Sequence, residues 1–413
     1  MKHLFKYAVT HGGSVKMLDG SFANSLGISN PAVLKHKNKY YMTFRSCEYS
    51  FFNFFYNCKD FTRRLWYPLF MYEHIPCKFL SKYHICEFDP HELKIKNPKK
   101  IFEDREKREL FYNGVEDIRL WHDKDGNIGM NYSMFESDGT VSMNFSIFDD
   151  DLNEMKTVKH NFGDFEKNWM PVDGRPEFWV RKPFNDIVYG FDKLQHIGDP
   201  DAPLRHRGST NLCEYNDGYI CLVHGRIETK INEIDKDFKY AHKFVIVDKN
   251  FAIQRQSDWF SFAGFPIEFT CGMMIENNKL ILPMCVFDSV SFVISIGMDE
   301  IMAFIENRVI NTVITGVDLS NKDLHKVILN SDDDTLTSNL CEYIINVQPY
   351  NKSAMISCKT QLGATVSSKA DKLKWYIETL CEIKKFDIGM ENKFMHMLVG
   401  EDMIRDVIDK LIN

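Results

Sequence analysis

Carboxylic acids, amides and cations recur beside five pairs of short apolar runs in the first 290 residues. A carboxyl group can deliver or accept a proton, and a guanidinium, ammonium or imidazolium group can hold an anion such as phosphate. Such residue types at repeated positions form a site when the fold brings them together. In chain order they are Asn30, Arg45, Glu116, Asp117, Arg119, Lys167, Asn168, Arg207, His224, His242, Glu268 and Asp288.

The elements that would position these residues are five predicted β-hairpins, whose first strands begin near Pro31, Asp117, Arg175, Thr210 and Thr270. The turns contain Asp-Gly or Asn-Asn dipeptides, which tolerate positive φ and are typical of tight hairpins. Each hairpin needs further strands to cover its faces, which favours radial repetition. We therefore predict an all-β fold, a five-bladed β-propeller with a C-terminal α-helical appendage, in which the polar residues converge at one end of the central channel.

Two regions depart from the hairpin pattern. An aromatic-rich insert at about residues 47–86 separates the first two hairpins, and long insertions are usually functional or packed caps. After about Met298 the spacing of apolar residues becomes helical. We predict a propeller over residues 1–300 and a helical C-terminal region over residues 301–413. The predicted helices cover Met298–Arg308 and Glu391–Ile412, and two more begin near Ser320 and Ser368.

Composition excludes several classes of function. The net charge of −7 and the pI near 6.1 argue against nucleic acid as a partner. The beginning of the chain lacks the apolar run of a signal peptide, and no apolar stretch reaches the length of a membrane span. The eleven cysteines are scattered and form no CxxC pair, which argues against structural zinc and a disulfide framework. We expect a cytoplasmic protein that has no metal site and does not span a membrane.

Six sequence blocks carry a family resemblance. They resemble glycoside hydrolase family 130, which comprises mannoside phosphorylases and β-1,2-mannosidases on a five-bladed propeller; the related glycosyltransferase family 108 contains mannosyltransferases. The resemblance covers roughly residues 25–300. Ile118 departs from it, because the family usually has proline there, and so does the Val-Phe-Asp288 ending of the last block. The blocks are Asn30–Val33, Gly114–Arg119, Lys167–Trp169, Arg207–Thr210, His224–Gly225 and Glu268–Asp288.

The resemblance implies that Asp117 is the general acid. Glycosidic cleavage needs protonation of the leaving oxygen, and a partly buried carboxyl beside Glu116 can keep its proton at neutral pH. The alternative is that Asp117 only forms a salt bridge with Arg119. The residues that we predict to bind the sugar are Asn30, Glu116, Arg119, Asn168, Glu268 and Asp288.

The group that attacks the sugar is the remaining question. Five cations resemble the family's phosphate-side residues, namely Arg45, Lys167, Arg207, His224 and His242. They favour phosphorolysis or glycosyl transfer with inversion, with inorganic phosphate or a sugar-phosphate donor as co-substrate and no cofactor. Hydrolysis, with Glu268 or Asp288 activating water, is one alternative. The other is a non-catalytic propeller that binds carbohydrate or protein. The expected partner is an oligosaccharide or glycoconjugate, and neither its linkage nor the oligomeric state is predicted.

Overall fold

The computed structural model describes residues 1–364, apart from short gaps, and the predicted helices near Ser368 and over Glu391–Ile412 lie outside this range. The gaps are residues 24, 26, 48, 59–60, 71–78, 106–111, 161–162, 164–165, 184–185, 191–192, 197–205, 231–235 and 309–321. The described chain is mainly β, with a propeller-like arrangement of sheets and a few helices towards the C-terminus.

Most strands are short and follow one another as antiparallel neighbours. In chain order they are β1 (Lys2–His3), β2 (Ser14–Met17), β3 (Ile28–His36), β4 (Lys39–Cys47), β5 (Tyr49–Cys58), β6 (Phe61–Phe70), β7 (Phe79–Asp89), β8 (Lys94–Ile101), β9 (Tyr112–Asn113), β10 (Glu116–His122), β11 (Ile128–Phe135), β12 (Val141–Phe148), β13 (Glu154–His160), β14 (Met170–Pro171), β15 (Phe178–Lys182), β16 (Asp186–Tyr189), β17 (Lys193–His196), β18 (Arg207–Gly208), β19 (Cys213–Tyr215), β20 (Gly218–Lys230), β21 (Lys236–Asp248), β22 (Ile253–Gln256), β23 (Phe260–Ser261), β24 (Glu268–Phe269), β25 (Met274–Glu276), β26 (Lys279–Val286) and β27 (Val290–Gly297).

Within the described residues, five sheets of four or more strands follow the order of the chain. The first is β3-β4-β7-β8 with β9, the second β10–β13, the third β14–β17, the fourth β18-β20-β21-β23-β1 with β19 and β22, and the fifth β24-β26-β27-β2 with β25. Neighbouring sheets meet through their strands, because β3 contacts β10, β10 contacts β14, β15 contacts β18 and β21 contacts β24. The fifth sheet returns to the first, since β26 contacts β3.

The predicted hairpins are present as β3–β4, β10–β11, β15–β16, β19–β20 and β25–β26. In the last two sheets the inner strand is interrupted, since β18 and β19 both pair with β20, and β24 and β25 both pair with β26. The predicted insert ends earlier than expected. Its central hairpin, β5–β6, forms a separate two-stranded sheet, whereas Ser81–Cys86 pair with β4 inside the first sheet.

The helices share a hydrophobic core with the last two sheets. They are α1 (Leu4–Thr10), α2 (Met298–Ile305), α3 (Lys322–Asn330), α4 (Leu336–Val347) and α5 (Lys352–Ala364). Phe5 of α1 and Leu340 of α4 are completely buried in one cluster with Phe244 and Phe292 of the sheets. The sequence analysis did not predict α1, β1 or β2, and the domain boundary near residue 300 stays a prediction. Within the described ranges, no helix has the length and apolar character needed to cross a membrane.

Candidate active site

Asn30 and Asp117 occupy matching irregularities in the inner strands of the first two sheets. The pairing of β3 with β4 shifts between Ser29 and Ala32, and the pairing of β10 with β11 shifts at the same relative place. Both residues have positive φ, 48° for Asn30 and 57° for Asp117. A bulge redirects a side chain, and positive φ outside glycine is uncommon and concentrates at functional sites. The fold therefore turns these two side chains out of the normal strand alternation.

The two side chains meet. Nδ2 of Asn30 donates a hydrogen bond to Oδ1 of Asp117 at 2.6 Å. Oδ1 of Asn30 accepts from the thiol of Cys285 at 3.2 Å, which fixes the amide orientation that lets Nδ2 donate. Asn30 is buried and Asp117 half-buried. Within the described part of the chain, the second carboxylate oxygen of Asp117 accepts no hydrogen bond, so one oxygen is held in place while the other stays available.

Arg45, Glu116 and Lys167 form a charged triad beside Asp117. Nη2 of Arg45 donates to Oε1 of Glu116 at 2.6 Å, and Nζ of Lys167 donates to Oε2 at 2.7 Å. Nε of Arg45 donates to the hydroxyl of Ser81 at 3.0 Å. The side chains are 9%, 14% and 19% exposed for Arg45, Glu116 and Lys167, so the triad is largely removed from water. One carboxylate thus bridges a cation of β4 and a cation of the segment before β14.

The charge state of Glu116 follows from this bridge. Burial opposes ionisation of a carboxyl group, but the charges of Arg45 and Lys167 and their hydrogen bonds outweigh it and lower the pKa of Glu116 to about 2. Glu116 is therefore ionised at neutral pH. The negative charge that the sequence analysis placed beside Asp117 is present, and it is shared with two cations.

Asp288 lies near the same charges, in the turn between β26 and β27. Its side chain reaches solvent, yet the surrounding protein raises its pKa to about 6 by burial, and Asp117 and Glu116 add to that rise against the opposing Arg45 and Lys167. Asp288 is therefore a second carboxyl group facing the cluster.

Arg119 has a different environment from the one predicted. It is fully buried, and Nε donates to the carbonyl of Ser209 at 2.8 Å, while Nη1 donates to the carbonyl of Asp117 at 2.8 Å. Nη2 donates to Oδ1 of Asn168 at 3.1 Å and approaches the carbonyl of Gly208 at 3.4 Å. Arg119 therefore connects β10 with β18 and with the segment before β14, and it contacts the backbone carbonyl of Asp117 and not its carboxylate. Its predicted role in sugar binding stays a prediction.

Asn168 accepts from Arg119 in a conformation like that of Asn30 and Asp117, with φ of 65°. Glu268 is occupied elsewhere: its carboxylate accepts from the backbone N–H groups of Phe262, Ala263 and Phe265 at 2.7–3.0 Å. Burial raises the pKa of Glu268 to about 7, against the effect of these hydrogen bonds. Glu268 thus holds a loop in place, and its predicted roles in binding the sugar or activating water stay predictions.

The cations of the fourth sheet stand apart from the triad. Nδ1 of His224 lies 2.9 Å from the hydroxyl of Ser209, whose carbonyl accepts from Arg119. Arg207 is exposed, and its side chain forms no hydrogen bond or ion pair with another described residue, although its backbone pairs with His224 in the sheet. His242 is fully buried against Phe262, and burial lowers its pKa to about 3, so its imidazole is neutral at pH 7. Phosphate binding by these three residues stays a prediction.

Three residues around the cluster were missed by the sequence analysis: Ser81, Tyr83 and Cys285. The hydroxyl of Tyr83 accepts from the backbone N–H of Ile118 at 3.4 Å, next to Asp117. Burial, and then the charge of Asp117, raise the pKa of Tyr83 well above its usual value. Ser81 and Tyr83 are two residues apart on β7. They were missed because this part of the strand lies within the insert predicted at about residues 47–86. Among the described residues, no group of three His, Cys, Asp or Glu side chains is arranged to hold a metal ion.

The fold resembles known carbohydrate-active enzymes. A β-1,2-mannobiose phosphorylase from Listeria innocua is 14% identical, with 71% of this chain and 94% of that chain covered and a TM-score of 0.46. A GDP-Man-dependent mannosyltransferase from Leishmania mexicana is 12% identical, with 69% and 89% covered and a TM-score of 0.46. A third match is a structure from the GH130 family of mannoside phosphorylases, a family that contains glycoside hydrolases targeting β-1,2 mannosidic linkages in Candida mannan. It is 14% identical, with 65% and 84% covered and a TM-score of 0.42.

These similarities confirm the predicted resemblance to GH130 mannoside phosphorylases and to Leishmania mannosyltransferases as a likeness of structure. At these identities and TM-scores they carry no argument about the reaction. No protein-family profile matches the sequence. No curated protein matches it either.

Proposed function

We propose that this protein is a carbohydrate-active enzyme that cleaves or forms a mannoside-type glycosidic bond, by phosphorolysis or glycosyl transfer with inversion. Asp117 is its general acid. The mannoside class comes from the sequence blocks around Asn30, Asp117, Lys167 and Arg207. The hydrogen bond between Asn30 and Asp117, beside the triad of cations and carboxylate, is the observation that carries the proposal.

The geometry suits a general acid. A positioned acid must present its proton to the leaving oxygen in one orientation. Asn30 holds one oxygen of Asp117, and the strand bulge aims the side chain away from the sheet. A module that only binds carbohydrate needs no such arrangement, so catalysis is the better explanation.

Arg45 and Lys167 support the use of an anionic co-substrate. They lie within hydrogen-bonding distance of the carboxylate next to Asp117, so an anion bound by them would stand close to the reacting bond. Inorganic phosphate or the phosphate of a sugar donor has the required charge. His224 and Arg207 of the fourth sheet would complete that side of the site, and Asn168 and Asp288 would contact the sugar.

The architecture proposed for this site is a five-bladed propeller. Five sheets with four or more strands follow one another in the chain, and the contact of β26 with β3 joins the last sheet to the first. We also place the enzyme in the cytoplasm. Eight cysteines of the described ranges are free and buried, as expected where thiols stay reduced.

Hydrolysis is the second candidate, and Asp288 is the observation in its favour. A carboxyl group with a pKa near 6, open to solvent and close to Asp117, is suited to take a proton from water. In an inverting hydrolase the acid and base carboxyls lie about 6.5–9.5 Å apart, with the water between them.

The deciding experiment is product analysis with the purified protein. β-Mannosides are supplied with and without inorganic phosphate, and GDP-mannose is supplied separately with mannoside acceptors. Mannose 1-phosphate formed only with phosphate supports phosphorolysis, an extended mannoside from GDP-mannose supports transfer, and free mannose in both phosphate conditions supports hydrolysis. Absence of turnover in every arm, with binding of a mannoside retained, would favour the non-catalytic alternative.

A further inference from the structure

Glu116 places a negative charge where the proposed function needs an anion to bind. Its two oxygens accept one cation each, Arg45 on Oε1 and Lys167 on Oε2. Two cations and one carboxylate leave the triad with a single net positive charge. An incoming phosphate would therefore meet the cations already engaged and a like charge between them.

The surroundings of the triad make this opposition strong. All three side chains are less than one-fifth exposed, so water screens their charges weakly. Asp117 and Asp288 lie close enough to influence the same groups, and each adds negative charge when it is ionised. The outcome of competition between phosphate and Glu116 thus decides how readily the site accepts an anion.

We propose that Glu116 is a specificity-determining residue that limits the affinity of this site for an anionic co-substrate, by occupying the space between Arg45 and Lys167. The inference rests on the proposed function, because it takes the two cations as the anion-binding side of the site. A site with Glu116 in this place binds phosphate only when the carboxylate gives up part of its contact with the cations. Loss of the negative charge removes that competition.

Isothermal titration with inorganic phosphate at low ionic strength tests the proposal, because the readout does not depend on turnover. Glu116→Gln keeps the shape of the side chain and removes its charge. We expect phosphate to bind about tenfold more tightly. A charge within about 4–6 Å changes the equilibrium constant between the charged and neutral forms of a group by about tenfold or more, and a change of the same order is expected for binding of an anion. Glu87→Gln removes the same charge from a surface pair with Lys39 and should bind phosphate like the wild type.

A second comparison covers the case in which Glu116→Gln alone does not fold. The double variant Glu116→Gln, Lys167→Gln has the same net charge in the triad as the wild type, and it is compared with Lys167→Gln. If Glu116 opposes the anion, the double variant binds phosphate more tightly than the single Lys167 variant. Equal or weaker phosphate affinity on removal of Glu116, in folded protein in either comparison, overturns the inference.

Failure of this inference can be told apart from failure of the proposed function. Turnover that disappears in Asp117→Asn while phosphate affinity is unaffected by Glu116→Gln leaves the function standing and rejects the role of Glu116. Tighter phosphate binding in Glu116→Gln, with normal turnover in Asp117→Asn, keeps the role of Glu116 and rejects Asp117 as the acid.

Discussion

Nδ2 of Asn30 and Oδ1 of Asp117 are joined by a hydrogen bond of 2.6 Å that connects the bulges of β3 and β10. The two residues are 87 positions apart in the chain and have the same left-handed backbone conformation. A repeated backbone irregularity in neighbouring sheets thus brings an amide to the carboxyl group that we propose as the acid. The bond between them is the most specific contact in the candidate site.

Replacement of Asp117 by Asn should abolish most turnover. The amide has nearly the same shape but cannot donate the proton of a carboxylic acid, and loss of a positioned general acid typically costs about 10²–10⁴-fold in rate. The assay is turnover of the substrate identified by product analysis, with circular dichroism as the test of folding. Asp125→Asn, in the exposed turn between β10 and β11, is the matched control and should keep wild-type activity. Near-normal turnover in Asp117→Asn would give Asp117 a structural role.

Two substitutions of Asn30 separate the effect of losing the hydrogen bond to Asp117 from the effect of straining the backbone. Asn30→Gly removes the bond but accepts the φ of 48°, whereas Asn30→Ala removes the bond and also strains the backbone. Both variants should lose turnover, about 10–100-fold, because the acid is no longer held in position. Only the alanine variant should also lose about 1 kcal/mol of unfolding free energy relative to the glycine variant. Unchanged kcat in Asn30→Gly would show that Asp117 needs no such support.

Substitution of Arg207 tests whether the proposed anion-binding side of the site extends beyond the triad. If it binds phosphate or the phosphate of a donor, Arg207→Ala should raise KM for that anion more than it weakens binding of the neutral sugar. Arg207→Lys should restore the affinity only in part, because an ammonium group lacks the planar fork of the guanidinium. Kinetics at varied phosphate and varied sugar measure the two effects separately. Identical KM values for phosphate in wild type and Arg207→Ala would remove Arg207 from the site.

Arg119 is expected to matter for stability more than any exposed cation. Its loss leaves the carbonyl oxygens of Asp117 and Ser209 and the amide oxygen of Asn168 without their buried donor, and a buried acceptor left unsatisfied costs about 1–3 kcal/mol. Arg119→Met should therefore lower the unfolding free energy by about that amount in urea denaturation. Arg255→Met removes an arginine that is 56% exposed and paired with Glu306, for which a loss of about 0–1 kcal/mol is typical. Similar losses in the two variants would contradict the structural role of Arg119.

The raised pKa of Glu268 should make the stability of the folded protein depend on pH. This pKa is about 7 in the folded protein, against an ordinary value of 4.5 for a glutamate in the unfolded chain, so the folded state holds a proton that the unfolded state has released between these pH values. Stability attributable to Glu268 is therefore present below about pH 4.5 and is lost as the pH rises to about 7, by roughly 3 kcal/mol. The measurement is unfolding free energy between pH 4 and pH 8.

In Glu268→Gln the side chain is neutral throughout, so that decline should be smaller than in the wild type. Asp288 contributes in the same direction up to about pH 6 in both proteins and cancels in the difference. A comparison of unfolding free energies at one pH does not isolate the effect of the charge, because the amide also changes the hydrogen bonds to Phe262, Ala263 and Phe265. Parallel pH profiles for the two proteins would contradict the raised pKa.

The hairpins and the polar positions beside them could be predicted from the sequence. Alternating apolar residues and turn dipeptides act over a few residues, so β3–β4 and β10–β11 could be read from local pattern. The repeated position of Asn30, Asp117 and Lys167 relative to the strands predicted that they would converge. The N-terminal strands β1 and β2 could not be recognised, because their partners, β23 and β27, lie more than 250 residues away in the chain.

Which polar residues act on one another depends on the assembled sheets. Arg119, Glu268 and Asp288 are all polar residues beside inner strands, and no local pattern distinguishes them. Packing buries Arg119 among backbone carbonyls, encloses the carboxylate of Glu268 in a loop and leaves Asp288 open to solvent. The bridge from Arg45 through Glu116 to Lys167 likewise joins the first two sheets and the segment that precedes β14. Burial and long-range charge pairing set these roles, and both depend on contacts that exist only after the sheets have assembled.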